Sequence, residues 1–391
     1  MTKGILALLM LCASLCCSAN DYYYQPIFNS NQRYASNLFM RPVPLQDNWI
    51  TTVSPGINLG LRHERGELKS NFTWNELIYD NQSELNVAEQ LFSADYQHKG
   101  ERIQWNLGGS YNNQSSVNTE SKISGLVFSQ VMRKQLSLAP SVTYSFNELS
   151  SVTSNYSFTK ATYDKVNNLQ GNVSFSDYDY HVASSTFNHL YTNRDKLNGT
   201  LSSSLYQTSS QNSQTTYNNV AQIGWQHSFS EQLITYASVG INYSIVETKF
   251  SQGLMQTKNN FGQVYSASIQ KSFEKGSISL AGSKNQSPTS IGLQTQTSIS
   301  INPSYSITER WTSGLSASYN KSEMTGVSTS TNNRTFYSIS PNVNWKCTPE
   351  INMGLSYTYQ QSEYQGSTQS SLGNIAQIQF SYQPQINNQV K

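Results

Sequence analysis

What most limits the fold of this chain is an alternation of apolar and polar residues with period two that runs from residue 50 to residue 383. Ala221, Ile223, Trp225, His227 and Phe229 share one face, and Gln222, Gly224, Gln226 and Ser228 the other. The same holds for Ala237, Val239, Ile241, Tyr243 and Ile245 against Ser238, Gly240, Asn242 and Ser244, and for Ile351, Met353, Leu355, Tyr357 and Tyr359 against Asn352, Gly354, Ser356 and Thr358. Successive side chains of a strand point to opposite faces, so each run is a strand with one greasy, aromatic face and one small, polar, uncharged face. No convincing amphipathic helix interrupts them.

Such strands must bury the apolar face. A soluble sandwich would carry charge on its outer faces and aliphatic residues between its sheets. Here only 12% of residues are charged, about half the usual share, and hydrophobic residues reach just 36%. The chain is instead dense in Tyr (25 of them), Ser, Asn, Gln and Thr. In hydrocarbon, an open sheet edge costs several kcal/mol per unpaired backbone group, so a sheet survives there only if it closes on itself.

The strands also come in pairs. Short polar turns fall at HERGE (63 to 67), HKGE (98 to 101), FNEL (146 to 149), TNRD (192 to 195), FSEQ (229 to 232), FEKG (273 to 276), ITER (307 to 310) and KCTPE (346 to 350). Between them lie longer loops near 81 to 87, 113 to 122, 163 to 179, 249 to 260, 287 to 292, 322 to 332 and 363 to 370. Alternating short turns and long loops, strands of about ten residues and aromatics near run ends are the marks of a membrane barrel of the bacterial outer membrane. The pattern predicts an all-β, transmembrane, antiparallel up-and-down barrel with 16 or 18 strands. Seventeen lie between 50 and 383, and RYASNLF near 33 to 39 supplies an eighteenth. The last, NIAQIQFSYQ, reads as the closing strand that assembly machinery recognises.

The first nineteen residues, one Lys followed by an apolar stretch and small residues ending at Ala19, have the layout of a secretory signal peptide. Leu15 and Cys16 are poor residues to precede a lipidated cysteine. Cys12, Cys16 and Cys17 lie in this leader, so Cys347 alone remains and no intrachain disulfide or paired-cysteine metal site can form. The chain divides into a leader (1 to 19), an N-terminal segment (20 to 48), the barrel (49 to 383) and a short periplasmic tail (384 to 391).

Together, QDNWITTVSPGINLGLRHERGELKSNFTWNELIYDN and the repeated PSVTYSFNEL and PSYSITERW hairpins resemble the outer-membrane β-barrel porins associated with exopolysaccharide export, of the PEP-CTERM-system type. The resemblance covers essentially the mature chain and implies a channel in the outer membrane of a Gram-negative bacterium. Its partners would be lipid and lipopolysaccharide, the barrel-assembly machinery and a saccharide. The chain is poorer in Arg and Asp than that family.

Chemistry is sparse. His63, His98, His181, His189 and His227 show no metal-ligand spacing, so no metal, cofactor or catalytic residue is expected. The best acid and histidine groupings for a hydrolase are SDYDYH (176 to 181) and TNRD (192 to 195). With a formal net charge of +2 there is no footprint for nucleic acid. The inward residues read as Ser, Asn, Gln, Gly and Thr with scattered Arg62, Lys69, Arg102 and Lys160, a lining suited to neutral polar solutes or a polysaccharide. The alternative is a surface barrel that transports nothing and serves as an adhesin or structural protein.

One feature resists the strand reading. Pro55, Pro140, Pro303 and Pro341 stand inside alternating runs, in the same phase, five to ten residues before a short turn. Proline has no N–H for a ladder, which predicts a local bulge or a place near the membrane interface at each.

Overall fold

A computed structural model describes residues 21–43, 45–120, 130–164, 175–209, 213–250, 253–324, 333–365 and 370–384. The leader and all of the tail beyond Pro384 lie outside them. The described chain forms one sheet of eighteen strands. These are β1 (Asp21–Ala35), β2 (Asn48–His63), β3 (Gly66–Tyr79), β4 (Val87–Lys99), β5 (Ile103–Ser115), β6 (Met132–Ser145), β7 (Ser150–Tyr163), β8 (Tyr178–Leu190) and β9 (Asp195–Thr208). The second half comprises β10 (Ser213–Ser230), β11 (Leu233–Lys249), β12 (Met255–Phe273), β13 (Gly276–Thr289), β14 (Gly292–Ser306), β15 (Trp311–Met324), β16 (Arg334–Lys346), β17 (Ile351–Tyr364) and β18 (Ser371–Tyr382). A four-residue helix, α1 (Ser116–Thr119), follows β5.

Each strand pairs antiparallel with the next, and β1 pairs with β18 from Phe28↔Tyr382 to Ala35↔Ile375, closing the barrel. Closure removes the two edges that hydrocarbon would punish. One end of the barrel carries the short turns and the other the loops; they are the turn end and the loop end below.

The outward phase carries the exposed large apolar side chains, among them Ile223 and Leu201, each about two thirds accessible at 69% and 66%. Aromatics gather in two bands. Near the turn end Trp311 stacks on Trp345 with centroids 5.4 Å apart, and eight residues along β15 Tyr319 meets Tyr337 at 5.2 Å. Eight residues at about 3.3 Å rise, tilted about 40°, separate these bands by roughly 20 Å, close to the apolar band of an outer-membrane barrel. Among the described residues no helix is long and apolar enough to cross a membrane, which says nothing of the strands.

Three sequence expectations change. The first strand is Asp21–Ala35, earlier than the run at 33–39. Leu38, Phe39 and Met40 fold inward instead and are buried, the first two in a cluster with Ile50, Leu77, Tyr79 and Val117. Residues 255–260 and most of 287–292 are strand, so the polar stretches there are extensions of β12 to β14 and only Ser290 and Ile291 form the tip. Polar composition marked these segments as loops: β12 carries Thr257 and Asn259 in its outward phase, and the β13–β14 tip, from Ser287 to Gly292, turns into the barrel.

The prolines make no bulge. On β2 the pairing with β3 passes from Val53↔Glu76 to Gly56↔Thr73 with no register shift, and only positions 54 and 55 are missing. The ladder omits Ala139 and Pro140, Asn302 and Pro303, and Ser340 and Pro341 in the same way, always toward the following strand. Toward the preceding strand it continues through Phe28↔Pro55, Leu107↔Pro140, Ile278↔Pro303 and Leu315↔Pro341. A single absent N–H donor cancels the pairing at the proline and at the residue before it, which accounts for the whole gap. In register, Trp74, Tyr156, Leu315 and Tyr357 face the prolines from the next strand. Pro140, Pro303 and Pro341 lie in the turn-end halves of their strands and Pro55 at mid-strand.

Candidate transport lumen

Inward side chains build the lumen from short hydroxyl and amide groups that bond across neighbouring strands. Thr143 meets Thr153 at 2.9 Å, Thr186 meets Thr200 at 2.9 Å, Ser238 meets Ser266 at 2.7 Å, and Ser340 meets Thr358 at 2.8 Å. Asn71 donates to Asn58, which donates to Gln25. Each such pair arises because the alternation puts equivalent polar residues opposite one another on the inner face. The result is a wall of uncharged donors and acceptors around a barrel wide enough, at eighteen strands, to hold water.

Charges sit at the two ends. At the turn end Arg62 and Lys69 bind Glu67 at 2.7 and 3.0 Å, both cations more than half exposed. Two other cations expected in the lining are elsewhere. Arg102 lies in the turn before β5. Lys160 faces outward, opposite Leu136 and in phase with the exposed Tyr156, and reaches Asp179 at 3.4 Å. Its position one step out of the inward phase decides this.

The loop end is different. After β5 the chain turns into α1, whose first turn is capped by Ser115. Glu89, buried on β4, accepts from the Ser115 amide at 2.9 Å and from Asn118 at 2.8 Å. This holds α1 inside the barrel, with Glu120 at its C-terminal end beside β6 and β7. Glu120, 1% accessible, accepts from the Tyr163 hydroxyl at 2.6 Å and from Ser290 at 3.1 Å, and lies 3.7 Å from Arg133. Arg133 in turn donates to Tyr163 and Tyr178 at 3.1 and 2.9 Å. Ser290 belongs to the tip of the β13–β14 hairpin, so residues from distant parts of the wall meet over the lumen. A polar cavity of about 340 Å³ lies beside α1 and Glu89, lined in part by Arg33, Asn75, Glu89, Asn118, Gln360 and Gln377. Arg334, buried nearby on β16, donates to Ser362 at 2.7 Å and lies over the Phe336 ring.

These inner charges, Arg33, Glu89, Glu120, Arg133 and Arg334, were not singled out from sequence. Four of them sit at the loop-end parts of strands in the inward phase, a signal the alternation does carry. Glu120 sits in a loop, where phase says nothing.

The histidines serve the outer surface. His227 is 2.7 Å from Asp195, which also accepts from Trp225 and Thr192; His189 meets Ser150 at 3.0 Å; His181 meets Tyr156 at 2.8 Å. The acids of the 176–181 stretch are engaged elsewhere, Asp177 by the Tyr163 amide and Asp179 by Lys160. Of the two groupings, the one at 192 to 195 thus gathers Thr192, Trp225 and His227 on Asp195, while the acids of the 176–181 grouping do not meet His181, which bonds to a tyrosine hydroxyl. Among the described residues no three His, Cys, Asp or Glu side chains could hold a metal ion.

No protein-family model matches this chain, and no curated protein matches it. Solved structures do. The FrpB iron transporter from Neisseria meningitidis (F5-1 variant) superposes with a TM-score of 0.51 at 10% identity, over 88% of this chain and 64% of that one. Its F3-3 variant gives 0.50 at 10% identity, covering 88% and 62%. Pseudomonas aeruginosa OpdK with vanillate gives 0.47 at 7% identity, covering 92% and 98%. This chain therefore spans less than two thirds of FrpB, and the likeness is one of fold.

Proposed function

We propose that this barrel lies in the outer membrane of a Gram-negative bacterium, turns toward the periplasm, and passes neutral polar solutes such as saccharides through its lumen. The observation that carries the reading is the inner wall: paired hydroxyls and amides line it, with charge confined to the two ends. Hydroxyl and amide groups exchange hydrogen bonds with sugars readily, whereas an ion-selective pore concentrates rings of like charge at its constriction. The polar cavity flanked by Arg33 and Glu89 is a first station for such a solute. The fold it shares with FrpB, a transporter, supports a transport role. Exopolysaccharide fits the same lining, with lipopolysaccharide around the outer band and assembly machinery acting on β18.

Planar-bilayer recording and liposome swelling with sugars of graded size test this. Stepwise conductance together with sugar entry that falls with solute size is expected. A barrel that neither conducts nor admits any sugar would favour the second reading, a non-transporting surface or structural barrel. The buried Glu120 cluster, which ties the β13–β14 tip to β6 and β7 at the loop end, is the observation on that side.

A further inference from the structure

The wall of the barrel is unzipped at one place. β12 and β13 pair from Phe273↔Gly276 to Tyr265↔Lys284 and then part, although both continue as strands. β13 runs on for five residues, Asn285 to Thr289, that in unbroken register would face Val264 to Asn260. Among the described residues the other neighbouring pairs stay zipped to within two residues of their loop-end limit, for example β4–β5 up to Gln90↔Asn113, β11–β12 up to Lys249↔Met255 and β14–β15 up to Gln294↔Met324.

The freed hairpin tip lies inside the barrel. Gln286 donates to Ser244 on the inner face of β11 at 3.1 Å. The carbonyl of Thr289 accepts from Tyr206 at 2.7 Å, that of Ser290 from the Ser176 amide at 3.0 Å, and the Ser290 hydroxyl reaches Glu120. Leu293 is fully buried among Val131, Ala161, Tyr163, Tyr178 and Tyr206. Yet Leu293 shares the phase of Ile299 and Ile301, and Gln286 that of Leu280, which all face outward. The sequence therefore writes this tip as wall, while in the structure it lies inside the barrel.

Two further details fit a wall position. In continued register Pro288 would stand opposite Phe261, an outward side chain 70% exposed, just as Pro55, Pro140 and Pro341 stand opposite Trp74, Tyr156 and Tyr357. The four wall prolines show that a ladder tolerates one missing donor. The separated strands also leave the side-chain amide nitrogen of Asn260 and the side-chain oxygen of Gln286 buried without a hydrogen-bond partner among the described residues. Buried polar atoms in that state are costly, which keeps the plugged arrangement from being overwhelmingly preferred.

We infer that the β13–β14 hairpin is a gate: unzipped from β12 it plugs the loop end, and zipped back into the wall it opens the lumen. Zipping exchanges the contacts of Ser290 and Leu293 for backbone bonds along Asn260 to Val264. The inference rests on the channel reading above.

The test is a cysteine pair, Gln263→Cys with Gln286→Cys, in a Cys347→Ser background. These two positions are cross-strand partners only in the zipped register, where their Cα atoms come within disulfide range. A control pair, Ser266→Cys with Ser283→Cys, is already in register. The expected result is a disulfide in both proteins under mild oxidation, with a several-fold larger conductance for the oxidised 263–286 protein alone, reversed by reductant. Leu293→Ala, which removes the plug's apolar anchor, raises the open fraction without any cross-link. A control that cross-links while the 263–286 pair does not would overturn the gate. So would a 263–286 disulfide that leaves the conductance of a conducting barrel unchanged. If the disulfide forms but neither state conducts, the swing stands and the channel reading falls.

Discussion

The two mouths of the barrel each hold an ion pair, and they are built on different terms. At the turn end Arg62, Glu67 and Lys69 lie on regular strands in open water, with the cations 61% and 60% exposed. At the loop end Glu120 and Arg133 are 1% and 7% exposed, locked to two tyrosines and a serine from three separate segments. The first mouth is a rim, whose charges can come and go. The second is a small folded core inside a membrane barrel, and it holds together because every buried charge has partners.

Removing one cation from each mouth would put that difference to its hardest test. Arg133→Leu leaves Glu120 buried without its cation, and breaking a buried pair in this way costs about 3 kcal/mol or more. Arg62→Gln breaks a solvent-screened pair and should cost less than about 1 kcal/mol. Urea titrations of the two variants in liposomes would show a large midpoint shift for the first and almost none for the second. Equal shifts would mean that the loop-end cluster is no better ordered than the rim.

A second pair of variants asks whether the wall between the mouths has the faces assigned to it. Leu201 points outward near the middle of β9, and its neighbour Ser202 points into the lumen. Leu201→Arg places a charge in hydrocarbon and should destabilise the barrel by about 2 to 4 kcal/mol. Ser202→Arg should leave stability nearly unchanged and shift ion selectivity toward anions, read as a change in reversal potential across a salt gradient. The opposite assignment of effects would invert the barrel.

These contrasts also explain what could be read in the sequence. A closed antiparallel barrel of 16 or 18 strands, the pairing of its hairpins and the polarity of its inner face were legible, because an apolar outer face and a polar inner one impose a two-residue period from strand to strand. Lys160 was misplaced by one step of that period. The hairpin plug was not legible at all. Leu293 and Gln286 obey the outward phase, and phase tells which face a residue belongs to, not whether its strand remains in the wall. Glu120 escaped for a related reason: its position depends on Glu89 holding α1 inside the barrel, a contact between segments that no local pattern records. Glu89, Arg133 and Arg334 were within reach, since each lies in the inward phase of a recognisable strand, whereas Arg33 lies on β1, which the sequence placed at 33–39.

The prolines give the smallest effect and the most direct check on the ladder. Each gap covers the proline and the residue before it, the footprint of one lost donor, while the register is unchanged on both sides. Replacing Pro303 by Ala restores that donor at a site whose neighbours Ile301 and Ser304 already pair with Ala317 and Gly314. The new amide should bond to the Leu315 carbonyl and gain about 0.5 to 1.5 kcal/mol, offset in part by the greater freedom of the unfolded chain without proline. The expected outcome is a change in stability within about 1 kcal/mol and a residue 303 amide that resists hydrogen exchange as its ladder neighbours do. An amide at 303 that exchanges freely would show that the strands are held apart there by something other than the missing N–H, and the bulge that the sequence first indicated would return.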